Sequence, residues 1–387
     1  MNLFDKRLGI CLALLCAGCS NLPSQGPSAV QVIQESAYEA QGVQPRYLVT
    51  DLTPQAANVV AREPNSTLLG TFGSAGGGAT SPVIGIGDSV SVTVWEAAAG
   101  GLFSSASSLG VAAGAHSATV PEQVVGRDGS ITVPFAGRIR VAGDTTARAE
   151  QKIVAELKGK AIEPQALVTV PKNVSNTVTV TGEVTNGARV PISGKGDRIL
   201  DVIASAGGVR APVHEVFIAL SRGNRTASVP MQALLKRPQE NIFVRPNDVL
   251  TVVREPQTFT AFGATGKNAL VTFDAIGITL EEALAKAGGL LDNQADPQGV
   301  FLLRMEPASI ARQLDPAFPI EPGERYVPVV YRINLKDAAT YFVARSFPVK
   351  NKDMMYVASA PSTELSKALQ IFSSMYGPAI GAAVVLK

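Results

Sequence analysis

This chain contains one pattern twice. Thr179-Val180-Thr181-Gly182-Glu183-Val184, then Ile199 through Ala206-Gly207-Gly208, then Val216-Phe217-Ile218, are followed by a second series. That series is Thr260-Ala261-Phe262-Gly263-Ala264-Thr265, Leu280 through Ala287-Gly288-Gly289, and Val300-Phe301-Leu302. Gly182 precedes its Gly-Gly pair by the same interval as Gly263 precedes the other. The copies also end alike, as Val244-Arg245-Pro246-Asn247-Asp248-Val249-Leu250 and Val349-Lys350-Asn351-Lys352-Asp353-Met354-Met355. The second is lengthened by an insertion around Glu306 to Tyr326. Self-similarity of this kind means one structural unit used twice. Each copy reads strand, strand, helix, then strands, with Gly-Gly where a helix C-cap needs positive φ. A short helix across a small mixed sheet is a β-grasp arrangement. Residues 177–257 and 258–360 are therefore expected to be tandem β-grasp repeats in a strand-rich α+β chain.

Another unit precedes them, at residues 82–172. Val90, Val92 and Val94 alternate with Ser89, Ser91 and Thr93, the period of a half-buried strand. Val124 to Val133 reads as a hairpin about Asp128-Gly129. Thr145 to Leu157 reads as a helix with Ala149, Ile153 and Leu157 on one face, and Val168-Thr169-Val170 as a closing strand. The Gly/Ala/Ser-rich stretch from Ala97 to Ser117 is expected to be a loop, Trp95 to pack in the core, and Asp88 to serve a turn. Residues 19–81 read as tether and linker, with one strand within Arg46 to Thr53.

Several functions are excluded at this level. The 34 basic residues are scattered and the net charge is only +2, so no nucleic-acid surface is expected. The two histidines, His116 and His214, sit in different units without ligand-spaced partners, so no metal site is expected. No Gly-x-Ser-x-Gly elbow, Walker pattern or GxGxxG loop occurs, and no catalytic residues are assigned: the chain does not read as an enzyme.

Residues 1–18 carry the marks of a secretory signal, with Lys6 and Arg7 ahead of the apolar run Leu8 to Leu15, which is too short to span a bilayer. Ala17-Gly18-Cys19 resembles the bacterial lipobox, although Cys16 stands where leucine is usual. The resemblance implies a covalent lipid on Cys19 and no other cofactor; Ser20 in place of Asp implies the outer membrane. At the other end, residues 361–387 read as an amphipathic helix capped by Ser362 or Thr363. Thr363, Ser366, Lys367, Gln370, Ser373 and Ser374 share a narrow polar stripe, while Leu365, Leu369, Phe372 and Met375 lie opposite. From Ser362 onward such a helix is about 39 Å long, enough to cross the ~30 Å apolar core of a bilayer. Docked alone on a soluble domain it would be an ordinary terminal helix. In a membrane its polar stripe would need a ring of copies facing a lumen.

Ile86-Gly87-Asp88-Ser89-Val90, Arg127-Asp128-Gly129-Ser130-Ile131, Pro134, Gly137 and Gly143-Asp144-Thr145, in that order, resemble the polysaccharide export domain. The repeats look like the SLBB module, a soluble-ligand-binding β-grasp. With the lipobox and terminal helix, the chain is similar to outer-membrane polysaccharide export lipoproteins of the Wza type, closest to capsule-export members that work with an ABC transporter. This resemblance implies a homo-oligomeric ring, octameric, with its bulk in the periplasm and an α-helical barrel through the outer membrane. It implies a pore lined by the polar stripe from Thr363 to Ser374, with capsular polysaccharide, an inner-membrane co-polymerase and the ABC transporter as partners. A periplasmic ligand-binding or adaptor lipoprotein without a pore is the alternative.

Overall fold

The computed structural model describes residues 26–36, 47–62, 66–73, 83–97 and 116–363. The signal segment, Cys19, most of the Gly/Ala/Ser-rich loop, and Ser366, Lys367, Gln370, Ser373 and Ser374 lie outside the described residues. Two compact units make up the chain: Ser66–Glu255, and Met1–Asn65 together with Pro256–Lys387.

The first unit contains a three-stranded antiparallel sheet ahead of the first repeat. Ser89–Glu96 is its centre, flanked by His116–Val124 and Gln165–Lys172. Val90, Val92 and Val94 point to a core shared with Ile131, Ile139 and the helix Thr146–Leu157, whose Ala149, Ile153 and Leu157 are fully buried. Each buried valine, isoleucine or leucine here stabilises the fold by roughly 1.5–3 kcal/mol through water exclusion. The Thr145 hydroxyl caps the helix by accepting the Arg148 N–H. A turn does form at Asp128-Gly129, where the Gly129 N–H donates to the Gly126 carbonyl. The hairpin ladder, however, pairs Ser130–Val133 with Gly137–Arg140 rather than with the strand before the turn. Phe135 and Gly137, both at positive φ, carry that reversal.

The rest of this unit is the first repeat. Its sheet runs in the order Arg225–Pro230, Val216–Arg222, Val249–Arg254, Thr177–Gly182, Ala188–Pro191, and the helix Ile199–Ser205 buries Ile199, Val202 and Ile203 in the same core. In the second unit the order is Tyr326–Ile333, Ala295–Pro307, Asp353–Ser359, Gln257–Gly263, Ala269–Phe273, with one further strand, Leu48–Asp51, parallel to Tyr326–Ile333 at the edge. Apart from that strand the two sheets have one topology, and both are mixed: Val249–Arg254 runs parallel to Thr177–Gly182 as Asp353–Ser359 does to Gln257–Gly263. The repeats are β-grasp folds. The insertion lengthens one hairpin and adds the helix Ala308–Leu314.

The paired glycines are equivalent in space. Gly182 and Gly263 have φ of 93° and 90°, and a Cβ on either would stand 2.0 Å from a carbonyl oxygen, of Val252 and Val357 respectively. Only glycine fits there.

The stretch expected to be tether and linker is partly folded. Ala29–Ser36 is a helix whose Val32 packs on Phe301, Val330 and Ala358 of the second repeat's sheet. The Tyr47 hydroxyl donates to the Val32 carbonyl, and the Tyr356 hydroxyl to that of Pro27. Pro54–Ala61, capped by Thr53, buries Ala57 and Val60 in the same unit. Leu68–Phe72 instead packs on the first repeat, where Leu68 and Phe72 are buried and the Glu240 carboxylate accepts the Leu68 N–H at 2.7 Å. Short helices such as these draw their stability from a distant apolar partner, which local propensity does not show.

Candidate functional site

Three turns, one before the Ser89–Glu96 strand and one in each repeat, are built alike around an aspartate. Each precedes a core strand and follows a residue at positive φ: Gly87, Asn247 and Lys352. In each, the carboxylate accepts the backbone N–H three residues back: Gly85 for Asp88 at 2.8 Å, Arg245 for Asp248 at 2.7 Å, Lys350 for Asp353 at 2.7 Å. The remaining acceptor capacity differs. Asp88 binds the N–H groups of Val174 and Ser175 and the Ser175 hydroxyl, tying the Ser89–Glu96 sheet to the start of the first repeat. Asp248 and Asp353 each take a bidentate arginine, Arg222 at 2.9 and 2.7 Å and Arg304 at 2.8 and 2.5 Å. Those arginines occupy equivalent strand positions, and each also donates to a backbone carbonyl, of Phe243 or Pro348.

The electrostatics follow the packing. Burial pushes the Asp88 carboxyl up, but three backbone N–H groups and a hydroxyl outweigh it and hold its pKa below the ordinary value. Burial opposes the Arg304 charge, yet Asp353 and Glu306 overcome this and hold the guanidinium well above its usual range. Glu306 is fully buried and shared among Arg304, Lys350 and the Tyr331 hydroxyl. Burial, then the Glu306 charge, raises the Tyr331 phenol. These are satisfied structural networks, with no acid–base pair facing open space. Asp88 takes the turn role expected from sequence. The arginine partners of Asp248 and Asp353 were missed, although the matched ends of the two repeats already align Asn247-Asp248 with Lys352-Asp353.

Trp95 departs from expectation. The alternation that buries Val90, Val92 and Val94 puts it on the opposite face of the sheet, half-buried. There it lines a cavity of about 350 Å³ with Glu96, Ala97, Glu163 and Gln165. Of the polar-stripe residues only Thr363 is described. It is buried, and its hydroxyl lies 3.4 Å from the carbonyls of both Asn293 and Gln294, so the start of the terminal segment is held against the second repeat. Among the described residues no helix is long and apolar enough to cross a membrane. His214 stands half-exposed in a single helical turn, 3.8 Å from Glu215.

Comparison with known proteins places these units. Residues 78–171 match the polysaccharide biosynthesis/export protein family, and residues 177–234 and 257–357 each match the SLBB domain. Over 382 residues the chain is 34% identical to the capsule polysaccharide export protein BexD of Haemophilus influenzae, covering 96% of each. The chain belongs to the polysaccharide export family. Another member, the capsule polysaccharide export outer membrane protein CtrA of Neisseria meningitidis serogroup B, is 35% identical over 366 residues, 93% of this chain and 92% of that one. The EPS I polysaccharide export outer membrane protein EpsA of Ralstonia nicotianae is 28% identical over 312 residues, 79% and 77% of the two chains. In this export protein, Asp88 and Trp95 fall in the first matched region and Asp353 in the last. The first SLBB match stops at residue 234, but the sheet carries that repeat on through Asp248 to Arg254.

Proposed function

We propose that this chain exports a surface polysaccharide, capsular in type, across the outer membrane, as the subunit of a homo-oligomeric channel. The observation that carries this reading is the near end-to-end similarity to BexD and CtrA, proteins named for capsule export. Lipid on Cys19 would anchor the protein in the outer membrane, with its bulk in the periplasm. Residues 361–387 would form the membrane helix, with Ser366, Lys367, Gln370, Ser373 and Ser374 toward the lumen. Thr363, expected to line the pore with them, is instead buried at the base of that stripe with its hydroxyl against carbonyls of the second repeat. A single helix of this kind leaves its polar stripe in lipid, so the channel requires several copies, and a ring of eight is the proposed assembly. An inner-membrane co-polymerase and an ABC transporter would deliver the polysaccharide from the periplasmic side.

The test is a strain lacking this chain, complemented either with the full chain or with one ending at Ala360. The full chain restores polysaccharide at the surface. The truncated chain is made and folded, yet leaves polysaccharide inside the envelope. Normal surface polysaccharide without any copy of the chain overturns the export role. Normal surface polysaccharide with the truncated chain overturns the channel and favours a periplasmic adaptor.

A further inference from the structure

The cavity beside Trp95 shares no lining residue with the networks of Asp88, Asp248 and Asp353. Its construction is specific. Trp95 lies near the end of the central strand, opposite Ser117 on one neighbour and Gln165 on the other. The strip of sheet next to it is hydroxyl-bearing, with the Thr93 and Thr119 side chains 3.2 Å apart. Its rim is pinned from below. The buried Glu96 carboxylate accepts the Ile162 N–H at 2.8 Å, and the Ala97 N–H donates to the Ile162 carbonyl at 3.2 Å. Between that clamp and Pro164, Glu163 is held at φ 45°, a left-handed conformation that a non-glycine residue before proline rarely adopts. Strain of this kind persists where the surroundings impose it, and it gathers at ligand sites. Its result here is that a carboxylate-bearing residue lines the same cavity as the indole.

A half-buried indole lining an open cavity beside an amide and the Glu163 carboxylate matches one class of ligand. A pyranose ring presents an apolar C–H face to an aromatic plane and hydroxyls at its edge to polar acceptors. The cavity, at about 350 Å³, has room for one or two such rings. Hydroxyl donation to a carboxylate is charge-assisted, whereas a sugar carboxylate would meet like charge from Glu163. We infer that the Trp95 cavity is a binding subsite for an uncharged pyranose residue of the exported polysaccharide, with Trp95 stacking on the ring and Gln165 and Glu163 bonding its hydroxyls. This rests on the export role proposed above, in that the exported polymer supplies the ring.

Trp95 is the only tryptophan in the chain, so its fluorescence reports this cavity alone. Purified full-length protein in detergent would be titrated with maltoheptaose, with an oligogalacturonate of similar length, and with oligosaccharides hydrolysed from the producing strain's polysaccharide. The expected result is a saturable change in indole emission with maltoheptaose and with those native fragments that contain neutral rings. Calorimetry on Trp95→Phe should show binding largely retained, while Trp95→Ala weakens it about tenfold, a typical worth for an aromatic contact. Glu163→Gln should lower affinity for maltoheptaose several-fold and raise that for oligogalacturonate. An unchanged emission with all three probes overturns the inference. So does preference for oligogalacturonate, or equal affinity in Trp95→Ala and the wild type. Surface polysaccharide in a strain lacking the chain separates the two claims. If it persists there while purified protein still shows the Trp95-dependent binding, the export role fails and the sugar subsite stands. If it is lost but no probe binds, the subsite alone fails.

Discussion

Asp88, Asp248 and Asp353 solve one problem at three places: a tight turn into a core strand leaves backbone N–H groups that need an acceptor away from water. Asp88→Ala removes the acceptor for three backbone N–H groups at once, and is expected to destabilise the Ser66–Glu255 unit by about 3 kcal/mol in urea unfolding. Because the folded pKa of Asp88 is depressed, its contribution is fully present above its ordinary value of 3.8 and is lost as pH falls through the lower folded value. Wild-type and Asp88→Asn stabilities should therefore converge on acidification below about pH 4, and a constant difference would contradict that assignment. Arg304 invites a sharper comparison. Arg304→Met takes the arginine from Asp353 and one of two cations from Glu306, whose side chains are 1% and 0% exposed, and should destabilise the second repeat by about 3–5 kcal/mol. Arg222→Met strands Asp248 alone, beside a position already 15% open to solvent, and should be milder. Asp248 and Asp353 stand at matching places in the sequence, and Asp88 was read as a turn residue by itself, so their positions were legible. Their arginine partners were not, because strand register across the sheet decides which cation arrives. Trp95 was misread for a related reason. Alternation along Ser89–Glu96 separates the two faces, and the valines already occupy the inward one.

At the scale of elements, the β-grasp repeats were legible because their glycines are bound by geometry rather than by taste in side chains. Gly182→Ala or Gly263→Ala puts a methyl carbon 2.0 Å from a carbonyl oxygen, and each should unfold or severely destabilise its own repeat. A well-folded Gly263→Ala protein of wild-type stability would contradict the turn described here. The N-terminal helices were not legible, since the residues that hold them are far away in sequence. Val32→Asp places a charge against Phe301 and Val330, and hydrogen exchange should then show Ala29–Ser36 losing protection while Ala295–Pro307 keeps most of its own. If protection in Ala29–Ser36 is unchanged, that helix does not depend on the second repeat's sheet.

For the whole molecule, the export domain and each repeat close a core of their own, around Ile153, Leu250 and Leu302 respectively. On the proposed function the terminal segment is given over to the membrane, and truncation at Ala360 should then leave stable β-grasp repeats. In sequence, the segment's amphipathic pattern fits a docked helix as well as a lumen-lining one, since both hide Leu365 and Phe372 and free the serine stripe. Access from outside the cell separates them. In intact cells whose channel is open and unoccupied, Ser374→Cys should react with a charged thiol reagent too large for ordinary porins, while Phe372→Cys should not. Ser374→Cys left unlabelled under those conditions, in a strain that still carries normal surface polysaccharide, would contradict the channel.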